Sequence, residues 1–185
     1  MRILVVSGSL RAESYNTALA QAARELAPQG VEIELYDGLG GLPPYDADAD
    51  GEDPPAAVQD LRARIAAADA LLLVTPEYNG SIPGVLKNAI DWASRPPRGG
   101  AVLWGKTVAV AGATTGQYGA IWAQQDLRRV LGIAGARVID GDLPVARAQN
   151  VFDENGRLRD QVVAERLRMH LAALVAEAAP VALAA

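Results

Sequence analysis

The chain has 185 residues, half of them apolar and 21% charged, a composition that suits one globular domain with a full core. A formal net charge of -5 argues against nucleic acid as a partner, because that affinity rests on clustered Lys and Arg. The absence of cysteine excludes disulfides, iron–sulfur clusters, thiolate zinc sites and cysteine nucleophiles, and the sole histidine, His170, leaves a hydrolase triad one candidate base.

In chain order, Ile3 to Ser7 opens as an apolar run too short for a signal peptide. The stripe Leu19, Ala22, Ala23 and Leu26 predicts a helix after it. VEIELY (Val31 to Tyr36) alternates, with Glu32 and Glu34 opposite the apolar residues, so a strand with one wet face at a sheet edge is expected. The acidic stretch YDADADGEDPP matches the start of a calcium loop at Asp46, Asp48, Asp50 and Gly51. Position 12 is Ala57 instead of a glutamate, so a solvated loop is expected and no metal. Val58, Leu61 and Ile65 mark a second helix, and ALLLVT (Ala70 to Thr75) reads as a strand buried on both faces.

Val85, Leu86, Ala89, Ile90 and Ala93 form a third helical stripe, before the buried strand TVAVAGA (Thr107 to Ala113). Ala120, Ala123, Leu127, Val130 and Leu131 form a fourth, and ARVID (Ala136 to Asp140) reads as a short edge strand. A final helix carries Val163, Leu167, Leu171 and Leu174, with His170 expected half-buried at the rim of its apolar stripe. No stretch approaches the ~20 apolar residues of a membrane span. A cytoplasmic home, away from membrane and nucleic acid, is therefore expected.

This alternation predicts an α/β three-layer sandwich around a five-stranded parallel sheet in the order 2-1-3-4-5, formed by a single domain spanning residues 1–185. Ligands of such sheets bind beyond the carboxyl ends of the strands where the winding reverses, which directs attention to the loops after strands 1, 3 and 4.

The first of these loops, SGSLRAESYNTA, ends in a helix N-terminus, whose free amides and dipole favour an anion. Ser9, Ser14, Asn16 and Thr17 add neutral donors, and Arg11 adds a planar charged fork; the alternative is a capped helix beside a solvated arginine. The loop lacks both GxxxxGK[ST] and GxGxxG, which disfavours a triphosphate site and weakens a dinucleotide clamp. The second loop, TPEYNGSIPGVLKNAIDW, is dense in Pro, Gly and Asn, as if its backbone were shaped to lie along a flat partner. The third, GATTGQYGA, is again rich in glycine and hydroxyls. Trp92, Trp104 and Trp122 are expected to pack, with Trp122 close enough to the third loop to leave its role open.

GSLRAESYN, PEYNGSIPGVLKNAIDW and GATTGQYGA, in this order and spacing, resemble the NAD(P)H-dependent FMN reductase family. These are flavodoxin-like proteins that include quinone, azo-dye and chromate reductases. The resemblance runs from Met1 to about Asp140, and the third motif departs from the family at Thr114, Thr115 and Tyr118. It implies that Ser9, Arg11, Ser14, Asn16 and Thr17 hold the FMN phosphate. It also implies that Pro76, Glu77, Tyr78, Asn79 and Gly80 border the isoalloxazine and ribityl chain, and that Thr114, Thr115, Gly116, Gln117 and Tyr118 line the pyrimidine side.

The implied activity is ping-pong transfer of hydride from NADPH or NADH, through FMN, to a quinone, free flavin, azo compound or similar small-molecule acceptor. The scheme needs no side-chain acid or base, so no catalytic residue is assigned. The family is usually dimeric or tetrameric, which makes the helix from Val85 to Ala93 a candidate interface in a homodimer or homotetramer. The alternatives from other classes are a flavodoxin-like electron carrier and a non-redox FMN-binding protein.

Overall fold

The structure is a computed structural model that describes residues 1–96 and 99–179. Its elements alternate as expected. The strands are β1 (Arg2–Ser7), β2 (Glu32–Tyr36), β3 (Ala70–Val74), β4 (Thr107–Ala113), β5 (Arg137–Val138) and β6 (Leu143–Val145). The helices are α1 (Tyr15–Glu25), α2 (Ala56–Ala67), α3 (Gly84–Ala93), α4 (Ile121–Ile133), α5 (Ala148–Val151) and α6 (Gln161–Ala178). All strands are parallel in the order 2-1-3-4-5, with β6 also paired to β4. This is the flavodoxin-like arrangement.

The period-2 alternation of side chains divides the interior into two cores, one on each sheet face. Ile3, Val5, Leu72 and Val74 face one core with α1 and α6, and Leu4, Val6, Leu71 and Leu73 face the other with α2, α3 and α4. On β4 the first face carries Ala109, Ala111 and Ala113 after Thr107, small residues that let α1 and α6 approach the middle of the sheet. β3 is buried along its whole length, as its unbroken apolar run requires.

At β2, Glu32 is exposed as expected, but Glu34 is ion-paired to Arg2 and Arg64, and Tyr36 is buried in the α2–α3 core. The face expected to be wet is therefore partly roofed by two arginines and a ring.

The far edge differs more from expectation. The chain leaves β4 after Val138, bulges through 139–142 and returns as β6. Gly141 takes φ 85°, a left-handed backbone that a continuous strand does not hold. Arg128 of α4 donates to the carbonyls of Ile139 and Gly141 at 2.8 and 3.1 Å, which holds the bulge in place. On β4 the Val110 carbonyl faces the gap and accepts from His170 Nε2 at 3.0 Å. His170 is thus buried, with 8% of its surface exposed, and not half-buried as its position on the stripe suggested.

Trp92 is fully buried, with Nε1 donating to the Pro43 carbonyl at 2.8 Å, whereas Trp104 and Trp122 are about half exposed. In the acidic loop, Asp50 pairs with Arg62, and Asp46 accepts from its own loop. No group of three His, Asp or Glu poised to hold a metal exists among the described residues. No described helix is long and apolar enough to cross a membrane.

Candidate functional site

The sheet brings the loops after β1, β3 and β4 to one edge, and close backbone approaches lock them together. The Gly8 amide donates to the Val74 carbonyl at 2.8 Å, and a Cβ at Gly8 would meet Leu86 and Pro76 at 3.0 and 3.2 Å. A Cβ at Gly112 would lie 2.7 Å from the Thr75 carbonyl oxygen, so the strand ends β3 and β4 can meet only over a glycine.

The first loop is organised mostly by its own residues. Ser14 is the N-cap of α1, its hydroxyl accepting from the Asn16 and Thr17 amides at 3.2 and 3.4 Å. The Thr17 hydroxyl lies 3.0 Å from that of Ser7, and Ser9 accepts weakly from the Arg11 amide. The exposed Arg11 curls so that its guanidinium donates to the Glu13 carbonyl at 2.8 Å. The amides of Leu10, Ala12 and Glu13 donate to no other described residue. Free amides, hydroxyls and one cation at a helix N-terminus are the donor set a phosphate dianion needs.

Asn16 is committed elsewhere. Its carboxamide donates to the Ala113 carbonyl at 3.0 Å and accepts from the Ala113 amide at 2.9 Å, both buried. The Asn16 side chain thereby ties the first loop to the end of β4. An open cleft of about 790 Å³ runs from Arg11, Ser14 and Thr17 past Thr115 to the turn at Asp153 to Arg157. That turn is held by Asp153 Oδ1, which accepts from the Asn155 and Arg157 amides, and the sequence reading did not include it.

The second loop is a tight turn. Tyr78 and Ser81 exchange backbone hydrogen bonds of 2.9 and 3.1 Å across Asn79 (φ 53°) and Gly80 (φ 75°). Positive φ at both central residues is the primed turn that an Asn-Gly pair predicts. Pro76 is buried and its carbonyl accepts from the Thr75 hydroxyl, while Tyr78 projects outward with 53% of its surface exposed. Glu77 does not turn its carboxylate to solvent: Oε2 accepts from the Ala123 amide at 3.2 Å, in the first turn of α4. A carboxylate there is favoured by the free amides and the helix dipole. Ser81 donates to Asp126 on the same helix, and this bond, with Arg129 second, holds the Asp126 carboxyl below its usual range.

The third loop leans on distant residues. Thr114 donates its amide to Val145 and accepts from the Ala148 amide, and the Gly116 carbonyl accepts from Arg147 at 2.9 Å. Gln124, fully buried, donates to the Gly119 carbonyl at 2.8 Å and accepts from the Leu143 amide at 3.0 Å. Thr115, Gln117 and Tyr118 are exposed.

Three non-glycine residues have positive φ among the described ones: Asn79, Ala120 and Arg147. Asn79 lies in the second loop, Ala120 caps α4 immediately after the third, and Arg147 binds the third through its amide. Backbone strain gathered at one sheet edge is a mark of a functional site. Gln124, Arg147 and the Glu77 cap were not singled out from the sequence, because each acts through a partner at least five residues away or through a strained backbone that composition does not encode.

A sequence profile described as NADPH-dependent FMN reductase matches residues 1–150. The chain is 45% identical over 175 residues to an NAD(P)H-dependent FMN reductase of Pseudomonas aeruginosa, covering 94% of this chain and 93% of that one. It is 41% identical over 172 residues to a 2-hydroxy-1,4-benzoquinone reductase of a Burkholderia species, covering 92% and 90%. Among solved structures, the flavoenzyme NAD(P)H:(acceptor) oxidoreductase FerB of Paracoccus denitrificans superposes with a TM-score of 0.83 at 37% identity, covering 96% of each chain.

Proposed function

The chain belongs to the NADPH-dependent FMN reductase family and is an FMN-dependent NAD(P)H oxidoreductase, and from that premise we propose that it reduces quinones at the carboxyl edge of its sheet. The observation that carries the reading is the convergence of an anion-ready loop and two rigid, strained loops on one edge. A relative named as a benzoquinone reductase supports the acceptor class.

FMN, when bound, would supply the redox chemistry that links NAD(P)H to the acceptor. The balance is one NAD(P)H, one quinone and one solvent proton giving one NAD(P)⁺ and one hydroquinone. The chain's own residues bind and orient. Arg11, Ser9, Thr17 and the free amides of Leu10, Ala12 and Glu13 hold the phosphate, and Ser14 and Asn16 fix the loop that presents them. Pro76, Tyr78, Asn79 and Gly80 form one wall for a flat ring, with Glu77 fastening that wall to α4. Thr114, Thr115, Gly116, Gln117 and Tyr118 form the other, and amides along it favour negative charge on the pyrimidine side. No side chain of the edge is required to act as acid or base.

The protein functions as one domain and self-associates in the cytoplasm. Trp104 and Ile133, 54% and 76% exposed, flank a groove with residues of α3 and α4, and this face suits a second copy. The test is direct: the purified protein should release FMN on heating and oxidise NAD(P)H when a quinone is supplied. A colourless protein that takes up no FMN, or one whose NAD(P)H oxidation needs a separate reductase, would refute the reading.

A further inference from the structure

Four of the exposed large apolar side chains, Leu10, Tyr78, Tyr118 and Trp122, stand on the carboxyl-edge loops or immediately beside them. Two of these form a pair. The rings of Tyr118 and Trp122 lie 4.9 Å apart between centroids and are tilted by 58°, and each side chain is about half exposed. A water-facing aromatic pair contributes little to the fold, so its position calls for a different explanation.

The backbone beneath the pair is fixed from several directions. Tyr118 precedes Gly119 (φ 62°) and Ala120 (φ 59°), two successive left-handed residues, and a Cβ on Gly119 would strike the Pro144–Val145 backbone at 2.7 Å. Gln124 holds the Gly119 carbonyl from below. Trp122 is in the first turn of α4; its neighbour Ala123 gives its amide to Glu77, and Asp126, one turn on, accepts from Ser81. The turn of helix carrying Trp122 is thereby bolted at both ends to the loop that projects Tyr78. Tyr118, Trp122 and Tyr78 sit on one rigid rim that continues the proposed ring-binding wall outward.

We propose that the Tyr118–Trp122 pair is an acceptor-stacking platform that selects fused-ring aromatic acceptors over single-ring and inorganic ones. The inference rests on the reductase reading of the same edge. A flat bicyclic acceptor stacked on one ring is long enough for its edge to meet the other, inclined ring, whereas a single ring or a compact anion touches one at most. An aromatic contact of this kind is worth ~0.5–1.5 kcal/mol, roughly two- to twelvefold in affinity.

The experiment compares wild type with Trp122→Leu and Trp122→Phe, using 2-methyl-1,4-naphthoquinone, 1,4-benzoquinone and ferricyanide, with FMN content and oligomeric state measured on each protein. In Trp122→Leu, kcat/KM for the naphthoquinone should fall about three- to tenfold, carried by KM. Values for the other two acceptors should stay within about twofold, and Trp122→Phe should recover most of the loss. An equal fall for all three acceptors, no fall for the naphthoquinone, loss of FMN from the variant or a change in its oligomeric state would each overturn the proposal. Wild-type protein inert with all three acceptors would fail the reductase reading itself, and the proposal with it.

Discussion

The first and third loops occupy the same sheet edge and are built by opposite means. The first is held mostly by residues within it or a few positions away: Ser14 caps α1, Thr17 meets Ser7, and Arg11 folds back on Glu13. The third is held by residues far along the chain. Gln124 joins it to β6, Val145 and Arg147 take up its backbone groups, and Gly119 is pressed against Pro144. A locally built loop can be altered at the cost of its ligand alone. A loop built from distant parts is continuous with the core, so altering it should cost the fold.

Four substitutions would break or sharpen that contrast. Gly119→Ala should destabilise the protein most, by roughly 2–5 kcal/mol, the sum of overpacking against a backbone and a left-handed alanine. Chemical denaturation of the apoprotein measures this, and an unchanged midpoint would contradict the close approach at Pro144. Gln124→Leu should follow at about 2–3 kcal/mol, because the Gly119 carbonyl and the Leu143 amide both lose a buried partner. Arg11→Ala should behave in the opposite way. It should weaken FMN binding by roughly 1.5–3 kcal/mol, seen by titrating the apoprotein, and leave apoprotein stability nearly untouched. Near-normal retention of flavin would remove the phosphate role of Arg11.

The smallest effect concerns His170, which supports β4 from beneath the third loop. Since the Val110 carbonyl can only accept, Nε2 carries the proton, and burial pushes the His170 pKa below its ordinary 6.5 against the smaller opposing pull of the Val110 bond and Asp142. The folded state therefore takes up a proton less readily than the unfolded chain. Above 6.5 both states are neutral and nothing is lost; as pH falls below 6.5 the unfolded state protonates first and stability declines until the folded pKa is passed. Thermal melting across this range should show a shallower acid decline in His170→Gln than in wild type, and parallel curves would show that His170 does not titrate differently in the two states.

Legibility followed the range of the interactions. The strand order came from two facts carried by short windows of sequence: β3 and β4 lack alternation, while VEIELY alternates. The primed turn at Asn79-Gly80 and the Ser14 cap came from single residues with strong local preferences. The same windows held no sign that the Asn16 carboxamide bonds Ala113, 97 positions on. Nor could they divide ARVIDGDLPV into β5, a bulge and β6, since the bulge exists where Arg128 and His170 arrive from two different helices.

The amino-acid sequence by itself determined a three-layer α/β architecture with its strand order, the Ser14 cap that opens α1 and the tight turn at Asn79-Gly80. Each of these depends on periodicity, turn chemistry or capping, which act over a few residues. Only the tertiary structure decided that Glu77 caps α4, that Gln124 and Arg147 carry the third loop, and that Tyr118 meets Trp122 on a rigid rim. Those contacts arise when strands β3, β4 and β6 come into register, and no local preference of the residues concerned records the partner that packing will bring.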